Sequence, residues 1–376
     1  MMSEKENMKK ERPARIIVAG GGTGGHIFPA IAIANAIKKF EPETEFLFVG
    51  AKGRMEMEKV PQAGYKIKGL DIAGFNRSSL IKNIGLPYKL VKSFFQVSQI
   101  FKAFQPDAVI GVGGYSSYPV LRFAQSKNVP TFIHESNSFA GKSNIMLGKK
   151  ATIVFTALDH MQQFFPAGKI MLTGNPVRQS ISHSTVSHEE GLNYFELDRG
   201  KKTVLVVGGS LGARSINEAI EQHIGLFEKN GLQLIWQTGK PYFEKAKAVI
   251  KDRNGIFMSD FIAQMEYAYA AADIVISRSG AMAVAELCLV KKPVIFVPYP
   301  FAAEDHQTAN AKALVNKNAA MMVKDADAAN ELVPMLLNLA KEDLKENELI
   351  NNISGLGVNN ADEIIAMQIL QAINKA

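Results

Sequence analysis

The chain has 376 residues, 47% of them apolar, enough for two separate cores, and a formal net charge of +7 dispersed along its length. Its one cysteine, Cys288, excludes an internal disulfide and a cysteine metal site, and fits a reducing compartment. The charge suits small acidic partners or an anionic surface, and is too modest and scattered for nucleic acid.

Residues 1–12 (MMSEKENMKKER) are charged and lack an apolar core, so no secretory leader is expected. No uninterrupted apolar run reaches the ~18 residues of a membrane-spanning helix. Short Val/Ile/Leu/Phe runs predict strands at 15–19, 44–49, 65–72, 107–112, 130–134, 151–156 and 169–173, then at 202–207, 232–237, 255–259, 272–277, 293–297 and 319–323. Many are unbroken rather than alternating, as expected of parallel strands covered on both faces. The expected fold class is therefore α/β, with two Rossmann-like domains facing each other across a cleft.

Taken in chain order, the first strand breaks into Gly20-Gly21-Gly22-Thr23-Gly24-Gly25-His26 and opens a helix at 27–40, with Ile27, Ile31, Ala34 and Ile37 on one face. Such a loop aims backbone N–H groups and a helix dipole at one spot, which favours an anion. The loop also fits the dinucleotide spacing Gly20-x-Gly22-x-x-Gly25, with Glu41, Glu43 and Glu45 near the position of a ribose-binding acid. His26 sits where the dipole keeps an imidazole neutral. It either takes a proton from a hydroxyl nucleophile or hydrogen-bonds backbone or a phosphate.

Residues 72–104 mix apolar side chains with Arg77, Lys82, Lys89, Lys92 and Lys102. Leu90 to Phe104 has helical spacing and is expected to pack on the sheet, whereas Phe75, Leu80, Ile81, Ile84 and Leu86 suit a membrane surface. A further strand ends at Gly113-Gly114 with Tyr115, Ser116 and Ser117, and another ends in His134-Glu135-Ser136-Asn137. Ligands bind at such strand ends in open α/β sheets. The segment 180–201 is polar and weakly patterned, and is expected to be a linker.

The second half repeats the first unit: Thr203 to Val207 runs into Gly208-Gly209-Ser210-Leu211-Gly212-Ala213-Arg214. Further on, Ser277 to Glu286 predicts a strand, a small-residue turn and a helix. Glu286 falls about two turns in, where its carboxylate can accept both hydroxyls of a ribose. Pro298-Tyr299-Pro300 and Glu304 to Asn310, including Gln307, form a polar loop suited to sugar hydroxyls. Cys288 reads as a small core residue on this helix. The tail 345–376 predicts an Asn-rich loop and a last helix, Ala361 to Ile373.

Together GGTGGHIFPA (21–30), GVGGYSS (111–117), HESN (134–137), GNPVR (174–178), GGSLGAR (208–214), SRSGAMAVAE (277–286) and HQTANA (306–311) resemble the MurG family of N-acetylglucosaminyltransferases, in family order, over about 13–372. The resemblance implies a GT-B fold: an acceptor and membrane-associating domain at 13–178, a UDP-sugar domain at 200–350, and a helix at about 360–374 packing back on the first domain. It implies donor contacts from Thr23, Gly24, Gly25, Asn137, Arg178, Ser210, Ile262, Ala281, Met282, Ala283, Val284, Ala285, Glu286 and Gln307. His26, Tyr115 and Glu135 match the acceptor side, with His26 the first choice of base and Glu135 the second. Ser136 stands where the family usually has Gln, and Met282 where Leu or Thr is common.

The implied reaction is inverting transfer of N-acetylglucosamine from UDP-N-acetylglucosamine to the C4 hydroxyl of undecaprenyl-linked lipid I, with no cofactor and no metal. The implied location is peripheral, on the cytoplasmic face of the bacterial inner membrane, with other cell-wall synthesis proteins as candidate partners. A non-hydrolysing UDP-N-acetylglucosamine 2-epimerase and a NAD-dependent oxidoreductase are the alternatives.

Overall fold

A computed structural model describes residues 12–74, 83–251, 253–302 and 305–375. The charged stretch 1–11, Phe75, Arg77, Leu80, Ile81, Lys82 and Glu304 lie outside the described residues. The chain divides into two compact units. The first comprises the described residues up to Ser136, Ala140–Pro176 and those from Asn360 onward; the second comprises Asn137–Phe139 and Val177–Asn359.

In the first unit the strands are β1 (Arg15–Ala19), β2 (Glu45–Ala51), β3 (Lys66–Leu70), β4 (Ala108–Gly111), β5 (Thr131–Glu135), β6 (Ile153–Thr156) and β7 (Ile170–Leu172). They pair in parallel in the order β3-β2-β1-β4-β5-β6-β7. In the second, β8 (Lys202–Val207), β9 (Leu232–Gln237), β10 (Ile256–Ser259), β11 (Ile274–Ser277), β12 (Val294–Phe296) and β13 (Met321–Met322) pair in parallel in the order β10-β9-β8-β11-β12-β13. Every expected strand is present: β1, β8 and β9 coincide with the expected ranges, and the others differ by one or two residues at one or both ends.

Alternation along each strand feeds two cores. Ile16 and Val18 bury on one face of the first sheet, Ile17 and Ala19 on the other; Val204 and Val206 oppose Leu205 and Val207 in the second. Strand order reverses between β1 and β4 and between β8 and β11, so the loops leaving those strands diverge and leave a crevice at their C-terminal ends. The glycine loops at 20–25 and 208–213 leave from these two points.

The helix Gly24–Phe40 buries Ile27, Ala34 and Ile37, and the helix Ala361–Lys375 adds Ile365, Ala366, Ile369 and Ile373 to the same core. Lys39 Nζ and Glu363 Oε1 close the pair at 2.7 Å. Cys288 is buried on the helix Ala281–Val290, and burial pushes its thiol up to about 12.

Two readings need correction. The supposed linker carries two helices, Gln179–Ser182 and His188–Tyr194, and belongs to the second unit. A capping box starts the latter: Glu190 N–H donates to Ser187 Oγ and Ser187 N–H to Glu190 Oε2. Leu192, Phe195 and Leu197 then bury in the core, which outweighs the polarity of their neighbours. The tail is also more helical than expected, because Asn351 and Asn352 lie inside the helix Asp343–Ser354 with Leu349 and Ile353 buried.

The segment Leu90 to Phe104 is part of a longer helix, Leu86–Phe104. It packs on the core of the first sheet as expected, through the buried Ser93, Val97 and Phe101 and the half-buried Ile100 and Phe104.

Candidate active site

In the first unit, β1 ends and Gly20, Gly21 and Gly22 turn with φ of +154°, +145° and +91°. Thr23 is the N-cap, and Gly24, Gly25 and His26 form the first turn of the helix. The His26 Nδ1 lies 3.0 Å from the Gly21 carbonyl. A carbonyl only accepts, so Nδ1 is the donor of this contact, and in the neutral ring Nε2 keeps the lone pair. Thr23 Oγ1 is 3.5 Å from the same Nδ1, and Gly113, in the turn after β4, lies against the ring at Nε2.

Two other expected residues are fixed by their neighbours. Arg54 Nε donates to the Tyr115 hydroxyl at 3.0 Å, and the Tyr115 ring lies against Gly74. Glu135 is buried, and its Oε2 accepts from Gly141 N–H at 3.0 Å and Asn144 Nδ2 at 2.9 Å. This carboxylate anchors the turn into the helix Lys142–Gly148. His134, the residue before it, is fully buried and donates to the Gly174 carbonyl. Ser136 Oγ lies 3.4 Å from His134 Nδ1, and desolvation lowers the imidazole to about 4.

In the second unit, Gly212 has φ of +76°, and a Cβ there would overlap the Thr238 carbonyl. Only glycine lets the 208–213 loop approach the loop after β9 so closely. Gln237, buried at the end of β9, joins three segments. Its Nε2 donates to the Gly209 carbonyl at 3.0 Å, and its Oε1 accepts from Ile262 N–H at 2.9 Å. Ser210 is exposed on this loop, one residue beyond that anchor.

The helix Ala281–Val290 starts after Gly280. Met282 faces the core while Ala281, Ala283, Val284 and Ala285 are half-buried. Glu286, 7% exposed, accepts from Arg178 Nη2 at 3.2 Å through Oε1 and from the Tyr269 hydroxyl at 2.9 Å through Oε2. Burial and the neighbouring carboxylate push the Tyr269 phenol well above its ordinary value, so it remains a donor. Nearby, Ser279 Oγ donates to the Gln307 carbonyl, Tyr299 N–H donates to Gln307 Oε1, and Asn310 ties Ser279 O to Ser138 N–H. That last contact brings the 137–139 segment, with Asn137, to this group.

The second unit thus gathers Asn137, Arg178, Ser210, Ile262, Ala281–Glu286 and Gln307, while Thr23, Gly24, Gly25, His26, Tyr115 and Glu135 belong to the first. Among the described residues, no cluster of three His, Cys, Asp or Glu side chains has a metal-binding arrangement.

Residues 16–156 match the glycosyltransferase family 28 N-terminal domain, and residues 203–364 match the glycosyltransferase family 28 C-terminal domain. A relative from Phocaeicola vulgatus is 50% identical over 368 residues, covering 97% of this chain and 98% of the relative. One from Parabacteroides distasonis is 50% identical over 366 residues, covering 97% and 100%. Both are named UDP-N-acetylglucosamine–N-acetylmuramyl-(pentapeptide) pyrophosphoryl-undecaprenol N-acetylglucosamine transferase. The chain belongs to this family. It is a hexosyltransferase with the GT-B arrangement of two parallel-sheet Rossmann-like domains.

The crystal structure of Acinetobacter baumannii MurG superposes with a TM-score of 0.76 at 28% identity, covering 96% of this chain and 100% of that one. A Neisseria meningitidis UDP-GlcNAc 2-epimerase bound to UDP-GlcNAc superposes at 0.67 with 12% identity, over 96% and 100% of the two chains, and shares the fold alone.

Three residues that organise these sites escape the motifs: Glu56, Gln237 and Tyr269. The strand that ends in Gln237 also carries Gln233, and the helix of Tyr269 also carries Glu266 and Tyr267, so neither residue gives a distinct signal. Glu56 leaves none.

Proposed function

We propose that this family 28 enzyme transfers N-acetylglucosamine from UDP-N-acetylglucosamine to the C4 hydroxyl of the muramoyl sugar of lipid I, giving lipid II with inversion at the anomeric carbon. The half-identity to relatives of that name along nearly the whole chain carries this reading. It also favours a transferase over the epimerase and oxidoreductase alternatives.

His26 is the base. Its support is the Gly21 contact, which leaves the lone pair on Nε2, and the helix dipole, which favours the neutral ring. Glu135, already accepting two hydrogen bonds in a buried site, serves as an anchor and ranks second. Tyr115, oriented by Arg54, helps to position the acceptor. In the second unit Glu286 receives the ribose hydroxyls, supported by its buried, doubly held carboxylate in the middle of the helix Ala281–Val290. The 208–213 loop, the Ser210 hydroxyl and Arg178 take up the charge growing on the departing β-phosphate, so the departure needs no metal. Thr23, Gly24, Gly25, Asn137, Ile262, the Ala281–Ala285 turn and Gln307 complete the donor contacts.

The enzyme binds an anionic membrane peripherally on its cytoplasmic face and works beside other cell-wall synthesis proteins in growth and division. Among the described residues no helix is long and apolar enough to cross a membrane. The exposed apolar face of the helix Leu86–Phe104 supports surface binding.

Incubation with radiolabelled UDP-N-acetylglucosamine and a short-chain lipid I analogue in EDTA tests the reaction. Label entering the lipid only when the analogue is present supports it. Donor turnover without acceptor would replace it with epimerisation.

A further inference from the structure

The mechanism above does not use Glu56. It is 1% exposed, at the first position of the short helix Glu56–Gln62, directly after the loop that follows β2. Its carboxylate lies beneath the first glycine loop. Oε2 accepts from Gly22 N–H at 2.8 Å and Oε1 from Ala51 N–H at 2.9 Å. The space is built for it: a Cβ at Gly21 would overlap the carboxylate, and one at Gly50 would come within 2.5 Å of Glu56 Cγ. A negative charge is thus already seated under a loop whose sequence reads as an anion cradle, and one of its N–H groups is spent on that charge.

The peptide joining Gly21 to Gly22 is the consequential element. Its N–H donates to Glu56 and its carbonyl accepts from His26 Nδ1. In a trans peptide these two groups point in opposite directions, so Glu56 and His26 sit at the two ends of one amide dipole. A charge-assisted bond to the N–H polarises the amide and strengthens its carbonyl as an acceptor. The stronger acceptor holds the proton on Nδ1 and favours the imidazolium that forms when Nε2 takes a proton.

We propose that Glu56 is a positioning residue that acts on His26 through the Gly21–Gly22 peptide, fixing its tautomer and raising its basicity. The consequence for turnover rests on His26 being the base; the linkage itself does not. His134, which interacts electrostatically with His26, is held at about 4 by burial and adds no charge in the working range. Tyr115 and Arg54, on the adjoining loops, bond each other. Glu56 is linked to the ring through the Gly21–Gly22 peptide.

The test uses the full-length protein with nitrogen-15 histidine, observed by long-range proton–nitrogen spectra over a pH series, with His26→Ala assigning the His26 signals. The linkage requires the neutral ring to carry its proton on Nδ1. In Glu56→Gln the His26 titration midpoint falls by about half a unit or more and the Nε2–H tautomer appears, as expected when a charge acting through one dipole is removed. kcat drops about tenfold and its acid limb moves to lower pH, while the donor KM stays within about twofold, the split expected of a group that acts on proton transfer.

Glu56→Asp, which keeps the charge but cannot span both N–H groups, falls between wild type and Glu56→Gln. It also serves if Glu56→Gln does not fold. A wild-type ring protonated on Nε2 overturns the proposal. So does a variant whose kcat falls while tautomer, midpoint and acid limb stay in place. If the spectra show the linkage but His26→Ala retains near-normal kcat, the linkage stands and the base assignment fails.

Discussion

The Tyr269 hydroxyl donates to Glu286 Oε2 at 2.9 Å, across 17 positions of sequence, with both residues buried. Arg178 holds the other oxygen, so the carboxylate is fixed from two sides before any ligand arrives. Preorganisation of this kind lowers the ordering cost of binding. Tyr269→Phe removes one restraint without changing the ring. The donor KM and the dissociation constant of UDP rise at least about tenfold, on the ~1.5–3 kcal/mol of a hydrogen bond to a charged group, while kcat changes little. Glu286→Gln raises both constants further. Calorimetry with UDP decides the matter: wild-type affinity in Tyr269→Phe leaves the phenol without a positioning role.

Gln237 couples loops that the motifs treat as separate. Replacing it by Leu leaves the Gly209 carbonyl and the Ile262 N–H without their amide partner in a buried site. At ~1–3 kcal/mol for each buried group left unsatisfied, the second unit loses a measurable share of its stability and the 208–213 loop loosens. Apparent Tm falls by about 5 °C, a shift typical of ~2 kcal/mol in a unit of this size. UDP affinity falls with it. If Tm drops while UDP affinity is unchanged, the Gln237 amide supports the core but not the loop.

His134 makes the first unit sensitive to acid. Its folded value of about 4 lies below the unfolded 6.5, because burial disfavours the charged ring. Between these values the unfolded chain binds the extra proton, so stability is full above about pH 6.5 and is lost as pH falls toward 4. The full span is worth about 3 kcal/mol at 1.36 kcal/mol per unit. Asn at 134 can still donate to the Gly174 carbonyl but does not titrate. Denaturant midpoints followed from pH 7.5 to 5 decline less steeply in His134→Asn than in the wild type. Parallel curves would take His134 out of the acid response.

The strands were legible because parallel strands buried on both faces appear as unbroken Val/Ile/Leu runs, as in Thr203 to Val207. Their ends were not, since a residue such as Glu135 extends β5 through backbone pairing while its side chain is polar. The 188–194 helix was missed although Ser187 and Glu190 spell its cap, because few of its residues reach the core. In the site, Glu286 was visible from its place after a small-residue turn. Glu56 and Gln237 act on partners 34 and 28 positions away, and only the packing of one loop against another brings them there. Arg178 illustrates the remaining gap: its motif marked it as a donor contact, but not its ion pair with Glu286.

The helix Leu86–Phe104 has two apolar faces, one buried and one exposed. Ser93, Val97 and Phe101 recur every four residues and turn inward. Tyr88, Val91 and Phe95 lie on the opposite side and are 72%, 71% and 65% exposed; Ile84, just before the helix, is 78% exposed. Water does not favour so many large apolar groups on one stripe, and the exposed Lys89, Lys92 and Lys102 add positive charge alongside. Lys92 also pairs with Asp71, so Lys89 and Lys102 are the better probes of attraction to acidic lipid. Changing Tyr88, Val91 and Phe95 together to Ser removes the stripe and leaves Val97 and Phe101 in the core. Binding to vesicles containing phosphatidylglycerol weakens at least tenfold, while turnover of a soluble acceptor analogue stays close to wild type. Changing Lys89 and Lys102 to Gln weakens binding less, and the loss disappears at high salt, where surface charges are screened. Unchanged vesicle binding in the triple variant would move the membrane face to another part of the surface.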